Sequence, residues 1–338
     1  MHNDTRRLFN DFLARQAQLN GVSDATQKFH IAPAVEQRLE EKIQESSDFL
    51  RLINVVMVDN QEGEKVMVGT SSTVAGRTDT SAGQERQPQN ISSSTGHRYR
   101  CEQTNYDTYV PYSLLDSWRH NPDFMRLLRS AQNKQIGRDR LCIGFNGTSV
   151  AATTNRATNS LLQDVNKGWL QQLRDHKPAA VMSGKKIGAL SGQDYHNIDA
   201  AVFDARNELI EPWARGAELV VISGRKLLAE KYFAKLNGDN KPTETEALNR
   251  LLLDLRLGSL PTLAVPFFPD DAFMITPLNN LSIYVQRGAT RTVFIDEPRR
   301  NRVEEYRSVN EAYVVEDYDA CCLVEGIKVP KADGSGWE

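Results

Sequence analysis

The pattern of apolar and polar positions predicts a chain of mixed helices and strands. Near its middle, apolar side chains recur at helical spacing over residues 122–146, which predicts one helix of about 22–24 residues. Asn121 is the predicted N-cap, and Gly144 and Gly147 supply the predicted left-handed end of the helix. Polar residues interrupt the apolar stripe of this helix, so we expect it to pack on its own subunit along only part of its length.

Before this helix, the chain reads as two amphipathic helices followed by strands. The first helix is predicted over residues 4–20, and the second begins at Pro33. Neither can bury its own apolar face, so each needs a partner surface on this chain or on another. A strand pair is predicted over residues 53–58 and 65–68.

The polar stretch at residues 70–96 contains almost no aliphatic side chains, although strand-like segments flank it. Composition alone would indicate an exposed loop. A loop of this length in a compact domain usually has a function, and we interpret the stretch as the tip of an extended two-stranded arm.

Beyond the long helix, the pattern alternates between helices and strands. Helices are predicted at residues 161–173, 198–210, 225–236 and 244–257. Strands are predicted at residues 219–222, 262–265, 273–275, 281–286 and 292–295. From Arg302 to Val329, two long strands are predicted to form a hairpin that can return to the long helix.

Composition excludes several classes of protein. The 338 residues carry 41 Lys and Arg against 44 Asp and Glu, a net charge of −3, which argues against a protein that binds nucleic acid by neutralising phosphates. No apolar run approaches a membrane span, and the start of the chain does not read as a secretion signal. The four cysteines lack metal-ligand spacing, so we expect reduced thiols and a protein of the cytoplasm.

The sequence contains no recognisable constellation for catalysis, so we expect no enzyme activity, no cofactor and no metal. The six histidines are scattered, and we interpret them as surface residues. An acidic cluster at Glu316, Asp317 and Asp319 lacks the glycine and spacing of a calcium loop, and we interpret it as a solvated turn.

Several segments identify a family. IQESSDFLRLINVV (43–56), ERQP (85–88), GFNGT (144–148), LLQDVNKGWLQQLR (161–174), LIEPW (209–213), NLSIY (280–284) and YVVEDYDACCLVEGIKV (313–329) stand in one order along nearly the whole chain. In these segments the chain resembles the major capsid proteins of tailed bacteriophages, in their P-two-like (peduovirus) branch.

The resemblance implies an α+β fold, the tailed-phage major capsid fold, with an N-terminal arm, an extended β-hairpin loop, a peripheral domain with a long spine helix and an α/β axial domain. The expected ranges are an N-terminal segment at 1–30, the arm at 31–53, the hairpin loop at 54–112, the peripheral domain at 113–194 with its spine helix at 122–146, the axial domain at 195–298, returning peripheral strands at 299–330 and a tail at 331–338.

The resemblance also implies a function and partners. The subunit is expected to assemble with itself, as hexamers and pentamers, into an icosahedral head shell that encloses double-stranded DNA without sequence-specific binding. Scaffolding protein, maturation protease and portal protein are expected partners, with assembly in the host cytoplasm and a final place in the virion capsid. Many relatives lose an N-terminal segment to the protease, and we expect a cut near Phe29 and His30, in a flexible joint around residues 28–32 between the first two helices.

Two other functions remain open at this point. An encapsulin-type compartment shell would share the fold and enclose an enzyme. A small-molecule enzyme built on the α/β part would use the rest of the chain for oligomerisation, and it would need a pocket with converging ionisable groups.

Overall fold

The computed structural model describes residues 1–65, 75, 77–83, 85–87, 97–117, 121, 123–216, 218–228, 256–331 and 336–337. Helices and sheets are mixed in this part of the chain, as the sequence predicts. The helices are α1 (Asn3–Asn20), α2 (Pro33–Glu45), α3 (Tyr112–Ser117), α4 (Phe124–Asn146), α5 (Trp169–His176) and α6 (Ile198–Leu209).

The strands follow in the same order along the chain. They are β1 (Phe29–His30), β2 (Asn54–Val58), β3 (Glu62–Glu64), β4 (Arg98–Arg100), β5 (Glu102–Asn105), β6 (Thr108–Pro111), β7 (Val181–Ser183), β8 (Leu219–Ser223), β9 (Arg256–Leu257), β10 (Leu260–Ala264), β11 (Phe273–Pro277), β12 (Leu281–Gln286), β13 (Arg291–Glu297), β14 (Arg302–Val315) and β15 (Cys322–Glu325).

The first sheet is built around β14, a strand of 14 residues. Its order is β1-β13-β14-β12-β2, and β5 and β6 also pair with β14. Both β12 and β13 run antiparallel to β14, whereas β2 runs parallel to β12. The predicted boundary at residue 298, between the axial domain and the returning strands, falls between β13 and β14 of this sheet. The predicted domain ranges remain predictions.

The second sheet has the order β7-β15-β11-β8-β10-β9. It receives β15, which pairs with β11 and β7 and not with β14. The predicted hairpin over residues 302–329 is therefore wrong. The turn after β14 carries the chain from one sheet to the other, and sequence patterns do not reveal such a change because both strands are apolar and buried.

A third, two-stranded sheet joins β3 to β4, with Gly63 opposite Tyr99. Strand β2 pairs with β12 in the first sheet. Residues 66–68 of the expected strand pair lie outside the described residues. The tip of the predicted arm falls largely outside the described residues.

Helix α4 confirms the predicted long helix, with 23 residues. Its fully buried residues lie between Ile136 and Phe145, in the C-terminal half. The N-terminal half is only partly buried, but it also packs on its own subunit, through Phe124, Met125 and Leu128.

The predicted ends of α4 differ in detail. Asp123 occupies the N-cap position, while the Asn121 side chain accepts the Asp123 N–H at 2.9 Å. Gly147 has φ −63° and is not left-handed, so its small size serves close backbone packing instead.

The other predicted helices agree with the structure to different extents. Helix α6 and strand β8 appear where they were predicted. The helix predicted over residues 161–173 begins only at Trp169, because the preceding segment folds back onto Gly147 and Thr148 through backbone hydrogen bonds. Residues 225–228 begin a helix, but the rest of that predicted helix, and most of the next, lie outside the described residues.

The first two helices find partners on their own chain. Phe9 of α1 packs with Val110, Leu115 and Val303. Phe12 packs against the same cluster, and its ring also lies edge-on against the ring of Phe294. Gly21 ends α1 with φ +66°, a left-handed conformation that glycine adopts without strain.

Candidate functional site

A buried ion network joins the N-terminal part of the chain to the long helix and the central strand. Arg140 of α4 contacts both carboxylate oxygens of Glu40 on α2, at 2.6 and 3.2 Å. Its Nε donates to Glu311 on β14 at 2.9 Å. The three side chains are 5 % exposed or less. Removing one partner would leave a buried charge uncompensated, so the network fixes how α2, α4 and β14 fit together.

Two tyrosines complete this network. Tyr106 donates its hydroxyl to Glu311 at 2.6 Å, and Tyr313 donates to the same carboxylate oxygen at 3.2 Å. Burial and the neighbouring Glu311 raise the pKa of both tyrosines, so both stay protonated donors. Burial by itself would lower the pKa of Arg140, but the Glu40 and Glu311 carboxylates raise it well above its usual range.

Sequence patterns did not predict this network. Its only signal is an arginine inside the most apolar part of α4, directly before Leu141, Cys142 and Ile143. A long charged side chain in such a run must find buried partners.

The residues predicted for processing do not lie in a flexible joint. Phe29 is buried and pairs with Thr292 of β13, and Ile31 N donates to Thr290 O at 3.0 Å. His30 places its Nδ1 2.9 Å from Gly288 O. The expected flexibility is therefore wrong. The reason is long-range strand pairing, which the local sequence does not encode.

The remaining candidate residues carry no catalytic arrangement. All four cysteines are free, as expected, and all four are buried. His97 and His176 form a ring pair with centroids 4.6 Å apart, a contact that their positions in the sequence did not reveal. His176 is exposed, as predicted, and His97 is half-buried. In the part of the chain that the structure describes, no group of three or more His, Cys, Asp or Glu could hold a metal ion. No helix among the described residues is long and apolar enough to cross a membrane.

Helix α6 and the turn after it expose two large aromatic side chains. Phe203 of α6 is 60 % exposed, and Trp213, in the turn that follows, is 55 % exposed. In the outer half of α4, Leu127 is 49 % exposed. Large aromatic side chains left in solvent are typical of surfaces that contact another protein.

Comparisons with known proteins agree with one another. Residues 8–327 match the family model described as phage major capsid protein, P2 family. The chain is 44% identical over 342 residues to the "Capsid proteins" of Escherichia phage P2, covering 97% of this chain and 96% of that one. It is 40% identical over 349 residues to the "Major capsid protein" of Serratia phage KSP20, covering 99% and 100% of the two chains.

Solved structures show the same relationship. A chain of the satellite phage P4 procapsid that includes the size determination (Sid) protein superimposes with a TM-score of 0.81, at 42% identity, covering 97% of this chain and 99% of that chain. The capsid of a native GTA particle gives a TM-score of 0.54 at 16% identity, covering 83% and 90%, which is a likeness of fold alone.

These matches confirm the tailed-phage major capsid fold and do not favour the compartment-shell and enzyme alternatives. The subunit is a structural, shell-forming protein of the virion capsid, assembling with copies of itself, and not an enzyme. The chain belongs to the P2 family of phage major capsid proteins.

Proposed function

We propose that this subunit forms hexamers and pentamers that close into an icosahedral head around double-stranded DNA. The observation that carries the proposal is the exposed aromatic surface formed by Phe203 and Trp213, with Leu127 of α4 as a further exposed apolar side chain. Such surfaces become stable when other copies cover them, and a closed shell offers several such contacts to each subunit.

The charge of the chain suits a container. A net charge of −3 over 338 residues gives no general attraction for phosphates. Packaged DNA would therefore be enclosed without being bound tightly by the shell. We further propose that assembly takes place in the host cytoplasm with a scaffolding protein and a portal protein, since the solved P4 relative is a procapsid that includes a size determination protein.

We also propose that a maturation protease removes the N-terminal segment by cutting between Phe29 and His30. This bond lies in β1, a two-residue strand at the edge of the first sheet. A protease binds its substrate as an extended chain, so β1 must leave β13 before the cut. Once the bond is cut, α1 would be held only by its own contacts, which include the Arg6–Asp296 ion pair.

Electron microscopy tests assembly, and mass spectrometry tests processing. The chain should be co-expressed with the scaffolding and protease genes of its phage, and in parallel with an inactive protease. Closed shells in both cultures, and a mass that begins at His30 only with active protease, are expected. Small oligomers under every condition would contradict assembly. Shells that retain the Met1–Asn20 peptide after active protease would contradict only the processing.

A further inference from the structure

Four side chains from four segments meet at one end of the β3–β4 sheet. The ring centroids of His97 and His176 are 4.6 Å apart, and those of His97 and Tyr318 are 5.0 Å apart. His176 and Tyr318 lie at 5.3 Å. The Nζ of Lys65 is 3.8 Å from the centre of the Tyr318 ring. These four residues are called the ring cluster below.

The ring cluster joins the open end of a small sheet to the body. Lys65 directly follows β3, and His97 directly precedes β4. Their partners belong to the body, because His176 ends α5 and Tyr318 lies between β14 and β15. Lys65 Nζ also donates to the carbonyl oxygens of Val315 at 2.6 Å and Glu316 at 3.3 Å.

The other end of the same sheet has an independent attachment. Tyr99 of β4 packs edge-on against Tyr284 of β12, with centroids 4.9 Å apart. Cys101 N donates to Gln61 O at 2.7 Å beside it. Loss of the ring cluster would therefore open one end of the β3–β4 sheet and leave the other end in place.

The charges within the cluster have the same sign. Burial lowers the pKa of Lys65 to about 8, so it still carries its proton at neutral pH. Burial and the Lys65 charge lower the pKa of His97. Burial, His97 and Lys65 lower the pKa of His176. Both imidazoles are thus neutral at pH 7, and protonating them would place three cations around one phenol ring.

The nearby acids are already engaged by other groups. Asp175 faces His176 and raises its pKa, while Lys167 lowers it, and these two are paired with each other at 2.7 Å. Glu316 and Asp317 face Lys65. The Glu316 carboxylate accepts the Tyr284 hydroxyl at 2.9 Å, and Asp317 Oδ1 accepts the Asp319 N–H at 2.8 Å. The Cys321 thiol also faces Lys65, and burial raises its pKa, so it stays neutral.

We propose that the ring cluster is an acid-sensitive clip, which holds the open end of the β3–β4 sheet on the body at neutral pH and releases it when His97 and His176 take up protons. The clipped state binds fewer protons than the released state, in which the histidines return to the pKa of about 6.5 of a free side chain. The clip is therefore complete above pH 6.5 and weakens as the pH falls below it.

Amide hydrogen exchange on the full-length chain tests the clip. Protection factors, corrected for the intrinsic effect of pH, should be compared at pH 7.5 and pH 5.0. Amides around the Glu64–Arg98 pair should lose protection at pH 5.0, by up to about tenfold for each unit by which the pKa of His97 is lowered. The contribution of His176 should be smaller, because its side chain is exposed and solvent screens its charge. Amides around the Glu62–Arg100 pair should keep their protection, because Tyr99 anchors that end.

Variants separate this response from general acid unfolding. The double variant His97→Asn, His176→Asn has no imidazole to protonate, and the pH response at Glu64–Arg98 should disappear. His196→Asn, which removes an exposed histidine away from the cluster, should leave the response intact. An unchanged response in the double variant would overturn the proposal. NMR titration of the unsubstituted chain tests the proposal without relying on the folding of any variant. Imidazole pKa values at or above 6.5 for His97 and His176 would also overturn the proposal.

Discussion

Gly144 of α4 lies against the indole of Trp169 at the start of α5, and a Cβ built on this glycine would stand 2.2 Å from Trp169 Cζ3. Trp169 has no room to move aside. It is fully buried, its Nε1 donates to Ser282 O at 3.0 Å, and its ring packs edge-on against Phe145 and Tyr313. The contact therefore sets the distance between α4, α5 and the first sheet.

Gly144→Ala should destabilise the subunit. Alanine in place of glycine favours a helix by about 1 kcal/mol. Forcing a methyl group into a packed core costs about 1–3 kcal/mol, and a contact this short belongs at the upper end, so a net loss of about 2 kcal/mol is expected. Urea unfolding followed by tryptophan fluorescence measures it.

Gly216→Ala is the matched control for that measurement. A Cβ at Gly216 would meet nothing within 4 Å, so its unfolding midpoint should stay within error of the unsubstituted chain. If Gly144→Ala were as stable as this control, the close approach of Trp169 would not constrain the fold.

Arg140→Met should have a larger effect than the glycine change. It leaves the Glu40 and Glu311 carboxylates buried without their cation, and breaking a buried pair in this way costs about 3–5 kcal/mol. The same urea experiment measures the loss. Arg138→Met, an exposed position on the same helix, is the control and should change little. Equal midpoints for the two variants would show that the network adds nothing to stability.

Local patterns predicted the elements whose signals lie within a short stretch. The span of α4 followed from helical spacing, and the predicted end of the first helix at residue 20 matches the end of α1. The partial burial of α4 also followed from its interrupted apolar stripe. The candidate aromatic surface was harder, because Phe203 sits in an ordinary helical pattern and only the structure shows that it faces solvent.

Features that depend on distant partners were not predictable in the same way. The chain pairs β15 with β11 and β7, and β1 with β13, across large separations in sequence. The sequence of an apolar strand does not specify which strand it pairs with. The hairpin at residues 302–329 was therefore the simplest expectation, and it was wrong. Arg140 meets Glu40 and Glu311 only after three elements have come together.

Phe203→Ser should reduce shell assembly without weakening the subunit. The side chain is 60 % exposed, so its removal loses little core contact. If copies of the chain cover this surface, each loses an aromatic anchor, and such residues often dominate an interface. Shell yield by sedimentation, alongside urea unfolding of free subunits, separates the two effects. Glu208→Ser, on the same helix and also exposed, should assemble normally. A normal yield of shells with Phe203→Ser would show that Phe203 is not part of the contact between subunits.

Acid should weaken the attachment of α1 through Asp296. This carboxylate accepts hydrogen bonds from Arg6 of α1 and from the Tyr112 hydroxyl. Burial raises its pKa, but the bonds from Tyr112 and Arg6 and the charge of Arg6 outweigh burial and lower it below the usual value of 3.8. The ionised form therefore stabilises the folded state above about pH 3.8, and this contribution is lost as the pH falls through the lowered pKa.

Asp296→Asn removes this titration, since asparagine does not change its charge in that range. Protection of the α1 amides, measured by hydrogen exchange between pH 5 and pH 3, should fall with acid in the unsubstituted chain. In the variant it should be lower at pH 5 and fall less over the same range. Some pH response remains, because the Asp116 carboxylate, which accepts the His2 N–H and has a lowered pKa, still titrates. Asp24→Asn is the control, because the Asp24 pKa is also lowered, but by hydrogen bonds to Thr26 within the link after α1. A pH response in Asp296→Asn equal to that of the Asp24→Asn control would show that another group governs the release of α1.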